Sequence, residues 1–312
     1  MQKDFISIHD LTPYEFHQIL DMTDDIKKHP HRFRKSLKNR ILAMIFQKPS
    51  LRTRMTFEVG MLQLGGEAIY LAPSDIQIGS REGIFDVGKN LERWVDGIML
   101  RTFAHQIILD LAASTRIPVI NALTDLLHPC QAMADFYTLR EKKGGLAGLS
   151  FTYVGDGNNV CHSLMFAAAK AGTKMAVATP VGYEPNPEIV RQALEDGKDT
   201  GFSLKLTTDP AEAASKADAV YTDVWASMGQ EAEKDKRAGI FVPYQVNAKL
   251  MSHAKPDAFF MHCLPAHRGD EVTDEVIDSP NSVVYDEAEN RLHVQKVIML
   301  LLMGKKEKDE HE

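Results

Sequence analysis

The sequence predicts an α/β protein made of two doubly wound parallel-sheet domains of similar size. Short apolar runs alternate with longer amphipathic segments, which is typical of βαβ units. This alternation pauses at Gly144-Gly145 and then resumes, and 312 residues are enough for two domains of roughly 150 residues each. We predict a first domain over 1–143, a second over 144–286, and a C-terminal helix with a charged tail over 287–312.

The first half contains four predicted strands, each followed by a predicted helix. An N-terminal helix precedes these strands. Its start is predicted by a capping box formed by Thr12, Pro13 and Glu15. The predicted strands cover 41–46, 68–72, 97–101 and 117–122, and the helices begin near 51, 84, 105 and 129.

The second half repeats the pattern. Its predicted strands cover 149–155, 174–180, 203–208, 218–224, 257–263 and 282–285. Its clearest predicted helices end near 171 or cover 187–196 and 288–303. Because parallel strands end at one edge of their sheet, residues that directly follow strands are the first candidates for a site.

Composition excludes several functional classes. The formal net charge is −7, so no overall positive field favours nucleic acid or an anionic membrane. The longest apolar run, 297–303, is far shorter than the roughly 20 residues of a membrane-spanning helix. The N-terminus has no apolar stretch of signal-peptide length, and three cysteines do not suit a disulfide framework. We therefore expect a cytoplasmic protein.

A phosphate site is predicted where the first strand ends, in the segment FQKPSLRTR. Pro49 ends the strand and Ser50 is a good N-cap, so Arg52, Thr53 and free backbone N–H groups converge at a helix start. This combination binds phosphate without a glycine-rich loop. The alternative is a capped surface helix whose arginines lie in solvent.

Two further residues lie where a site is expected. His128 precedes Pro129 at a helix start, where the helix dipole favours the neutral imidazole as a hydrogen-bond donor to a carbonyl oxygen. A structural histidine at a helix cap is the alternative. Arg101 ends an apolar strand, a position that an ordinary surface arginine explains less well.

Three segments of the second half carry polar groups after strands. GDGNN at 155–159 resembles a dinucleotide fingerprint but has Val160 where the third glycine would stand. Its asparagines can instead bind the carboxylate or amide groups of a ligand. DVWASMG follows at 223–229 and HCLP at 262–265. Cys263 is a buried structural thiol, a metal ligand or a reactive group, and spacing alone does not decide between these.

Taken together, these segments resemble the ornithine branch of the carbamoyltransferase family. The resemblance covers nearly the whole chain, in order: SLRTR, Gln77, MLRT, HPCQ, GDGNN, DVWASMG, HCLP and ENRLHVQK. The SMG and HCLP motifs separate this branch from aspartate carbamoyltransferases. The resemblance implies a first domain that binds carbamoyl phosphate, a second that binds ornithine, interdomain helices, and a C-terminal helix that packs back on the first domain.

The resemblance also implies roles for individual residues. Arg52, Arg101, His128 and Cys263 are the expected catalytic residues. The expected carbamoyl phosphate site contains Ser50, Leu51, Arg52, Thr53, Gln77, Arg101, His128, Pro129, Cys130, Gln131, Cys263, Leu264 and Arg291, of which Gln77 would reach a neighbouring subunit. The expected ornithine site contains Asn159, Asp223, Ser227 and Met228. No metal or cofactor is expected, and the partners are the two substrates and further copies of the chain, in a trimer or an assembly of trimers.

The sequence departs from the family pattern at two positions. Leu51 stands where most relatives carry threonine, although its backbone N–H remains a donor. Gly83 stands where many relatives carry proline, in the loop that follows Gln77. Enzymes that act on N-acylated ornithine also have leucine in the phosphate motif, but they differ in the SMG and HCLP regions.

Three alternative functions follow from the same residues. GDGNN suggests a nucleotide-dependent oxidoreductase, which the missing third glycine disfavours. A non-catalytic paralogue would be expected to lack Arg52, Arg101, His128 or Cys263, and all four are present. A carbamoyltransferase acting on putrescine or on N-acylated ornithine is disfavoured by the intact SMG motif. The sequence does not decide between synthesis and breakdown of arginine.

Overall fold

The computed structural model describes residues 2–76, 78, 81–226 and 234–304. They form two compact units, one made of residues up to 133 and from 291 onward, the other of residues 134–290. A parallel sheet of four strands and a parallel sheet of five strands confirm the predicted fold class. The chain changes unit inside the helix Pro129–Lys143, before Gly144-Gly145. The predicted domain boundaries, and the assignment of one substrate to each domain, stay predictions.

The first unit begins with a capped helix. The Thr12 hydroxyl accepts from the Glu15 N–H at 3.2 Å and the Glu15 carboxylate accepts from the Thr12 N–H at 2.9 Å, as the capping box predicts. The elements are α1 (Pro13–Lys28), β1 (Ile41–Phe46), α2 (Leu51–Gln63), β2 (Glu67–Leu71), α3 (Pro73–Ile76), α4 (Ile84–Leu91), β3 (Gly97–Arg101), α5 (His105–Ser114), β4 (Val119–Leu123) and the start of α6 (Pro129–Lys143).

The sheet of the first unit brings two of the predicted segments together. Its strand order is β2-β1-β3-β4, all parallel, and Phe46 at the end of β1 lies opposite Arg101 at the end of β3. The Gln47 N–H donates to the Arg101 carbonyl at 2.8 Å. The loop that leads into α2 therefore starts beside Arg101.

The second unit has its own sheet in the order β7-β6-β5-β8-β9. β5 and β8 are neighbours, so the segments that follow Val154 and Thr222 leave the same edge of the sheet. The elements are β5 (Ser150–Val154), α7 (Asn159–Ala171), β6 (Lys174–Ala178), α8 (Pro187–Asp196), β7 (Ser203–Thr207), α9 (Pro210–Ala214), β8 (Ala219–Thr222), α10 (Lys234–Phe241), α11 (Ala248–Met251), β9 (Phe259–Met261), α12 (Asp274–Ile277) and the start of α13 (Val284–Met303).

One predicted strand is wrong. Residues 282–285 were expected to form a strand, but Ser282 makes only an isolated bridge to Phe260, and α13 already begins at Val284. Asp286 and Glu287 lie in the first turn of this helix, where the dipole favours acidic side chains. The adjacent Val283 and Val284 suggested a strand. The acidic residues that follow them favour a helix start instead.

The C-terminal half of α13 packs closely within the first unit. A Cβ atom at Gly60 of α2 would lie 2.8 Å from Met299 Cε, and one at Gly97 of β3 would lie 2.9 Å from Met303 Sδ. Glycine at these two positions therefore allows the helix to approach. Among the described residues, no helix combines the length and the apolar character needed to cross a membrane.

Candidate active site

The start of α2 has the geometry expected of a phosphate site. The Ser50 hydroxyl accepts from the Thr53 N–H at 3.2 Å, so Ser50 is the N-cap and its own backbone is extended. The N–H groups of the first turn have no acceptor further back in the helix, and the positive end of the dipole points out of it. Thr53 is buried, Arg52 is half-buried and the Leu51 side chain is exposed. A role of residue 51 in anion binding therefore rests on its backbone.

Three arginines act on one buried histidine in the first unit. His128 is buried beside the start of α6. Burial and the positive charges of Arg291, Arg101 and Arg52 hold the pKa of His128 well below its usual range. The imidazole is therefore neutral at physiological pH, so it has one N–H to donate and adds no positive charge of its own.

Arg291 links three helices of the first unit. Its guanidinium donates to Gln131 Oε1 on α6, to Gln295 Oε1 at 2.8 Å on α13, and to Thr53 Oγ1 at 3.4 Å on α2. Arg291 and Gln131 are both buried. The predicted residues from the segments SLRTR, HPCQ and ENRLHVQK thus lie together.

Pro129 and Cys130 occupy the first turn of α6. The Cys130 thiol donates to the Asn121 carbonyl of β4 at 3.3 Å, and burial raises the pKa of Cys130 to about 12. The Cys130 thiol therefore makes a hydrogen bond within the fold and is not a thiolate. A contact between Cys130 and carbamoyl phosphate would therefore come from its backbone N–H.

The two departures from the family pattern have little effect on the described backbone. Leu51 keeps the helical N–H that the motif needs. Gly83 is the N-cap of α4 with φ −62° and ψ 141°, and this φ is the value that proline fixes. The glycine therefore adopts the conformation that proline would impose. Gln77 lies outside the described residues, as do Ser227 and Met228 of the SMG motif.

The second unit places Asp223 at the centre of a polar cluster. One oxygen of Asp223 accepts from Asn158 Nδ2 at 2.8 Å, and the other accepts from the Cys263 thiol at 3.1 Å. Asn158 also caps α7, because its Oδ1 accepts from the N–H groups of Val160 and Cys161. Asn159 is the first residue of α7 and is half-buried. A buried carboxylate held in this way is a suitable partner for an ammonium group.

Sequence reasoning gave both asparagines of GDGNN a ligand-binding role and named Asn159 for the ornithine site, but it did not predict that Asn158 positions Asp223. The available signal was the pair of asparagines before a helical segment, because only one of two neighbours can be the N-cap.

Cys263 carries a proton at physiological pH. Burial, the negative charge of Asp223 and the hydrogen bond to it hold the pKa of the Cys263 thiol well above its usual range. The residue is therefore a hydrogen-bond donor rather than a thiolate nucleophile. Next to it, Leu264 has φ +58°, a left-handed conformation that is rare for a branched side chain. Its N–H donates to His262 Nδ1 at 2.8 Å.

The glycines of GDGNN do not form a nucleotide loop. A Cβ atom at Gly157 would lie 2.3 Å from the Pro185 backbone nitrogen and 2.7 Å from the Tyr183 carbonyl oxygen. Residues 183–185 thus occupy the side of Gly157 that would have to stay open for a pyrophosphate. The glycine allows two loops of the protein to approach each other, which argues against the oxidoreductase alternative.

Two groups of side chains in the described residues have the spacing of metal ligands. Asp223, His262 and Cys263 bring one ligand-type atom each within 4.8 Å of the others. However, His262 Nδ1 accepts from Leu264 and Nε2 contacts Glu271 at 3.2 Å, so neither ring nitrogen has a lone pair to spare. The second group contains His267, Asp270 and Glu271, and Glu271 is already bonded to His262 and to the His267 N–H. The present hydrogen bonds do not suit a metal at either place.

A buried ion pair connects α10 with the GDGNN loop. Arg237 of α10 donates to Asp156 Oδ2 at 2.8 Å and to the Trp225 carbonyl at 2.9 Å. Its guanidinium also lies 4.9 Å from the centroid of the Tyr183 ring. Both partners of the ion pair are buried. Arg237 therefore ties the GDGNN loop to Trp225, and sequence reasoning did not find it.

We expect Arg237→Met to lower the free energy of unfolding by about 3–5 kcal/mol, because the buried carboxylate of Asp156 would lose its ion pair with the guanidinium. Urea denaturation of the full chain measures this change. Lys236→Met is the matched control: it removes a charge from the neighbouring exposed residue and should change the free energy by less than about 0.5 kcal/mol. An equal effect of both variants would contradict the structural role of the ion pair.

The fold defines a class of protein with two parallel-sheet α/β units, in which one unit has arginines around a buried histidine and the other has a buried carboxylate. Family models also match the chain in two parts. Residues 3–141 match the aspartate/ornithine carbamoyltransferase carbamoyl-P binding domain, and residues 147–302 match the Asp/Orn binding domain. The chain belongs to the aspartate/ornithine carbamoyltransferase family.

Individual relatives are similar over nearly their full lengths. The ornithine carbamoyltransferase of Thermococcus kodakarensis is 54% identical over 97% of this chain and 96% of its own. The Pyrococcus furiosus protein, named an anabolic ornithine carbamoyltransferase, is 52% identical, and its solved structure covers 97% of this chain and 98% of its own with a TM-score of 0.94. The Thermoplasma acidophilum protein, named catabolic, is 50% identical over 97% of this chain and 99% of its own.

Proposed function

We propose that this chain transfers the carbamoyl group of carbamoyl phosphate to the δ-amine of L-ornithine and releases L-citrulline and phosphate. Family membership and relatives at 50–54% identity that carry this name support the reaction. The structural observation that carries the proposal is the group of Arg52, Arg101 and Arg291 around neutral His128 at the starts of α2 and α6. Carbamoyl phosphate is a small dianion with a carbonyl group, so it needs charged donors for its phosphate and a neutral donor for its carbonyl oxygen.

The residues of the first unit account for binding and for the leaving group. Arg52 and the N–H groups at the start of α2 neutralise the phosphate, which then departs with the electron pair of the broken carbon–oxygen bond. Thr53, Arg101 and His128 donate to the oxygen of the carbamoyl group, on which negative charge develops. A neutral His128 can donate without holding the phosphate product by its own charge.

The acceptor must attack as a neutral amine. A lysine-like amine has a pKa of about 10.4, so only a small fraction of free ornithine is competent near neutrality. Asp223 would pair with the α-ammonium of ornithine, and Asn159, Ser227 and Met228 would complete the recognition of its α-carbon end. Burial and the nearby Asp223 hold the pKa of the Cys263 thiol well above its usual range, so we assign it the role of a hydrogen-bond donor and no covalent intermediate. Orientation and electrostatics then supply the catalysis.

The experiment is a parallel assay of citrulline and phosphate with carbamoyl phosphate and one of three amines: ornithine, putrescine or aspartate. We expect equal amounts of citrulline and phosphate with ornithine and little carbamoylation of the other two. Turnover of putrescine or aspartate above that of ornithine would overturn the proposal. N-acetylornithine as a fourth acceptor tests the remaining alternative.

Exposed apolar side chains support the proposal of a homotrimer. On α2, Leu51, Met55 and Leu62 are spaced along one face, and each is at least 49% exposed. Ile69, on the neighbouring edge strand β2, is 48% exposed. Exposed apolar side chains on neighbouring elements favour contact with a second copy of the chain. A trimer, or an assembly of trimers, would bury it and bring Gln77 toward a neighbouring site.

If active sites are shared, two inactive variants complement each other. We expect mixed trimers of Gln77→Ala and Arg101→Ala chains to regain activity, because some sites would combine an intact Gln77 from one chain with an intact Arg101 from another. Native mass spectrometry verifies that mixed trimers form, and remixed Arg101→Ala chains alone are the control. Mixed trimers without any regained activity would confine each site to one chain.

We further propose that the enzyme works in the cytoplasm and in arginine biosynthesis. Its three cysteines are free thiols, as suits a reducing compartment. The anabolic name of the Pyrococcus furiosus relative supports the synthetic direction, and the catabolic name of the Thermoplasma acidophilum relative supports the reverse. The ratio of citrulline formation to citrulline phosphorolysis at cellular substrate concentrations decides between them.

A further inference from the structure

A buried glutamine on α13 contacts one of the arginines of the first unit. Arg291 and Gln295 are four residues apart, so they lie on the same face of the helix. Arg291 Nε donates to Gln295 Oε1 at 2.8 Å, and the two residues have exposed fractions of 2% and 0%. Because an arginine nitrogen only donates, this bond fixes which end of the glutamine amide is the oxygen. Gln295 Nε2 is then the end that donates.

The same amide contacts α2. Thr56 Oγ1 lies 3.0 Å from Gln295 Nε2 and 3.2 Å from Gln295 Oε1. The Thr56 hydroxyl has one proton, and its bond of 2.7 Å goes to the Arg52 carbonyl one turn earlier. Thr56 therefore accepts from Gln295 Nε2. Through Gln295 and Thr56, the Arg291 guanidinium is thus connected to the backbone of Arg52.

Arg291 also reaches the start of α2 directly. Its Nη2 donates to Thr53 Oγ1 at 3.4 Å, and its Nη1 donates to Gln131 Oε1. The guanidinium is planar, so a hydrogen bond at Nε fixes the rotation of the plane and with it the directions of both Nη groups. Gln295 therefore acts on the orientation of Arg291 and on its spacing from the first turn of α2.

We propose that Gln295 is a positioning residue that holds the Arg291 guanidinium in a fixed place relative to the first turn of α2. This inference rests on the proposed function, in which that turn and Arg291 bind carbamoyl phosphate. Ordering a long arginine side chain only when the ligand binds would cost conformational entropy, and an arginine that is already oriented avoids this cost. A neutral amide supplies the acceptor for Arg291 without adding a negative charge to an anion site.

The test compares Gln295→Met with Lys296→Met. Methionine is unbranched and flexible, so it fills the space of either side chain but forms neither hydrogen bond. Lys296 Nζ donates to Gln63 Oε1 at 3.0 Å, so the control breaks a bond between the same two helices at the far end of α2. It leaves the bond between Gln295 and Arg291 in place.

We expect Gln295→Met to raise the Kd of inorganic phosphate and to lower kcat/KM for carbamoyl phosphate by about tenfold each, the scale of a hydrogen bond to a charged group. Lys296→Met should change both quantities by less than about threefold, because it does not touch Arg291. The KM of ornithine at saturating carbamoyl phosphate should stay within about twofold of wild type in both variants.

A double-mutant cycle separates positioning from a general effect on the fold. Arg291→Met removes the group on which Gln295 acts, so adding Gln295→Met should lower kcat/KM by less than about threefold more. A residue that only stabilises the fold would instead give the same loss of about tenfold in the double variant. A crystal structure of Gln295→Met does not depend on activity, and in it Arg291 Nη2 should have left Thr53.

Three results would overturn the positioning role. These are equal losses in Gln295→Met and Lys296→Met, losses that multiply in the double variant, and an Arg291 that keeps its place beside Thr53 in Gln295→Met crystals. Wild-type citrulline production, measured in the same series, tests the proposed function separately, because the phosphate Kd and the crystal structure do not depend on turnover.

Thr56→Val is the second variant should Gln295→Met fail to fold. It keeps the size of the side chain but removes the hydroxyl that accepts from Gln295, whereas Thr56→Ser keeps that hydroxyl. We expect Thr56→Val to raise the Kd of inorganic phosphate by at least about threefold and Thr56→Ser to leave it within about twofold of wild type. Equal Kd values in these two variants would overturn the proposal.

Discussion

Arg52→Ala should lower kcat/KM for carbamoyl phosphate by about 10²- to 10³-fold while the protein stays folded. Arg52 lies at the start of α2, is half-buried, and contributes to the low pKa of His128. Its removal takes a charge-assisted contact from the phosphate and part of the positive field from the leaving group. Calorimetry with carbamoyl phosphate and steady-state kinetics measure the two effects separately.

Arg54→Ala is the matched control for this variant. Arg54 lies two residues further along α2, is exposed, pairs with Glu58 at 3.3 Å and lies 4.0 Å from the centroid of the Tyr70 ring. Its removal changes the net charge by the same amount but should alter kcat/KM by less than about threefold, the scale of an exposed ion pair. Similar losses in both variants would mean that residues 50–53 are not the phosphate site.

Asp223→Asn should raise the ornithine concentration needed for half-maximal rate by up to about 10⁴-fold, the discrimination that sites built on buried polar pairs achieve. Asn158 and Cys263 hold the two oxygens of Asp223 in the second unit. Asparagine removes the charge that pairs with the α-ammonium and turns one acceptor into a donor facing other donors. Ornithine kinetics at saturating carbamoyl phosphate measure the loss.

Two comparisons make this prediction specific. The Kd of carbamoyl phosphate, measured directly, should be unaffected by Asp223→Asn, because the expected phosphate residues lie mainly in the first unit. Asp257→Asn removes an exposed carboxylate of the same unit, which pairs with Lys143 at 2.7 Å, and should leave ornithine kinetics unchanged. Equal ornithine kinetics in wild type and Asp223→Asn would remove Asp223 from the acceptor site.

Most of the fold could be predicted because the sequence pattern and the sheet agree. β1 and β3 are apolar runs buried over nearly their whole length, and the parallel order follows from the helices between them. Prediction failed where the local strand propensity of the sequence conflicts with the tertiary packing of a helix. Val283 and Val284 suggested a strand, but the acidic first turn and the core contacts of α13 make Val284 helical.

The candidate site could be predicted only for residues whose sequence position is itself informative, directly after a strand or at the start of a helix. Arg52, Arg101 and His128 follow strands or begin helices, so their predicted neighbourhood agrees with the charges that act on His128. The supporting residues gave no such signal. Asn158 lies far in the sequence from Asp223, and Arg237 lies far from Asp156, so their contacts depend on tertiary packing.

The most direct test of the proposed binding residues is a crystal structure with carbamoyl phosphate and norvaline, which is ornithine without its δ-amino group and does not react. We expect phosphate oxygens bonded to the N–H groups at the start of α2 and to Arg52, with the carbamoyl oxygen facing Arg101 and His128. We also expect the norvaline α-ammonium bonded to Asp223. A phosphate group elsewhere, or norvaline without a contact to Asp223, would contradict the proposed binding residues.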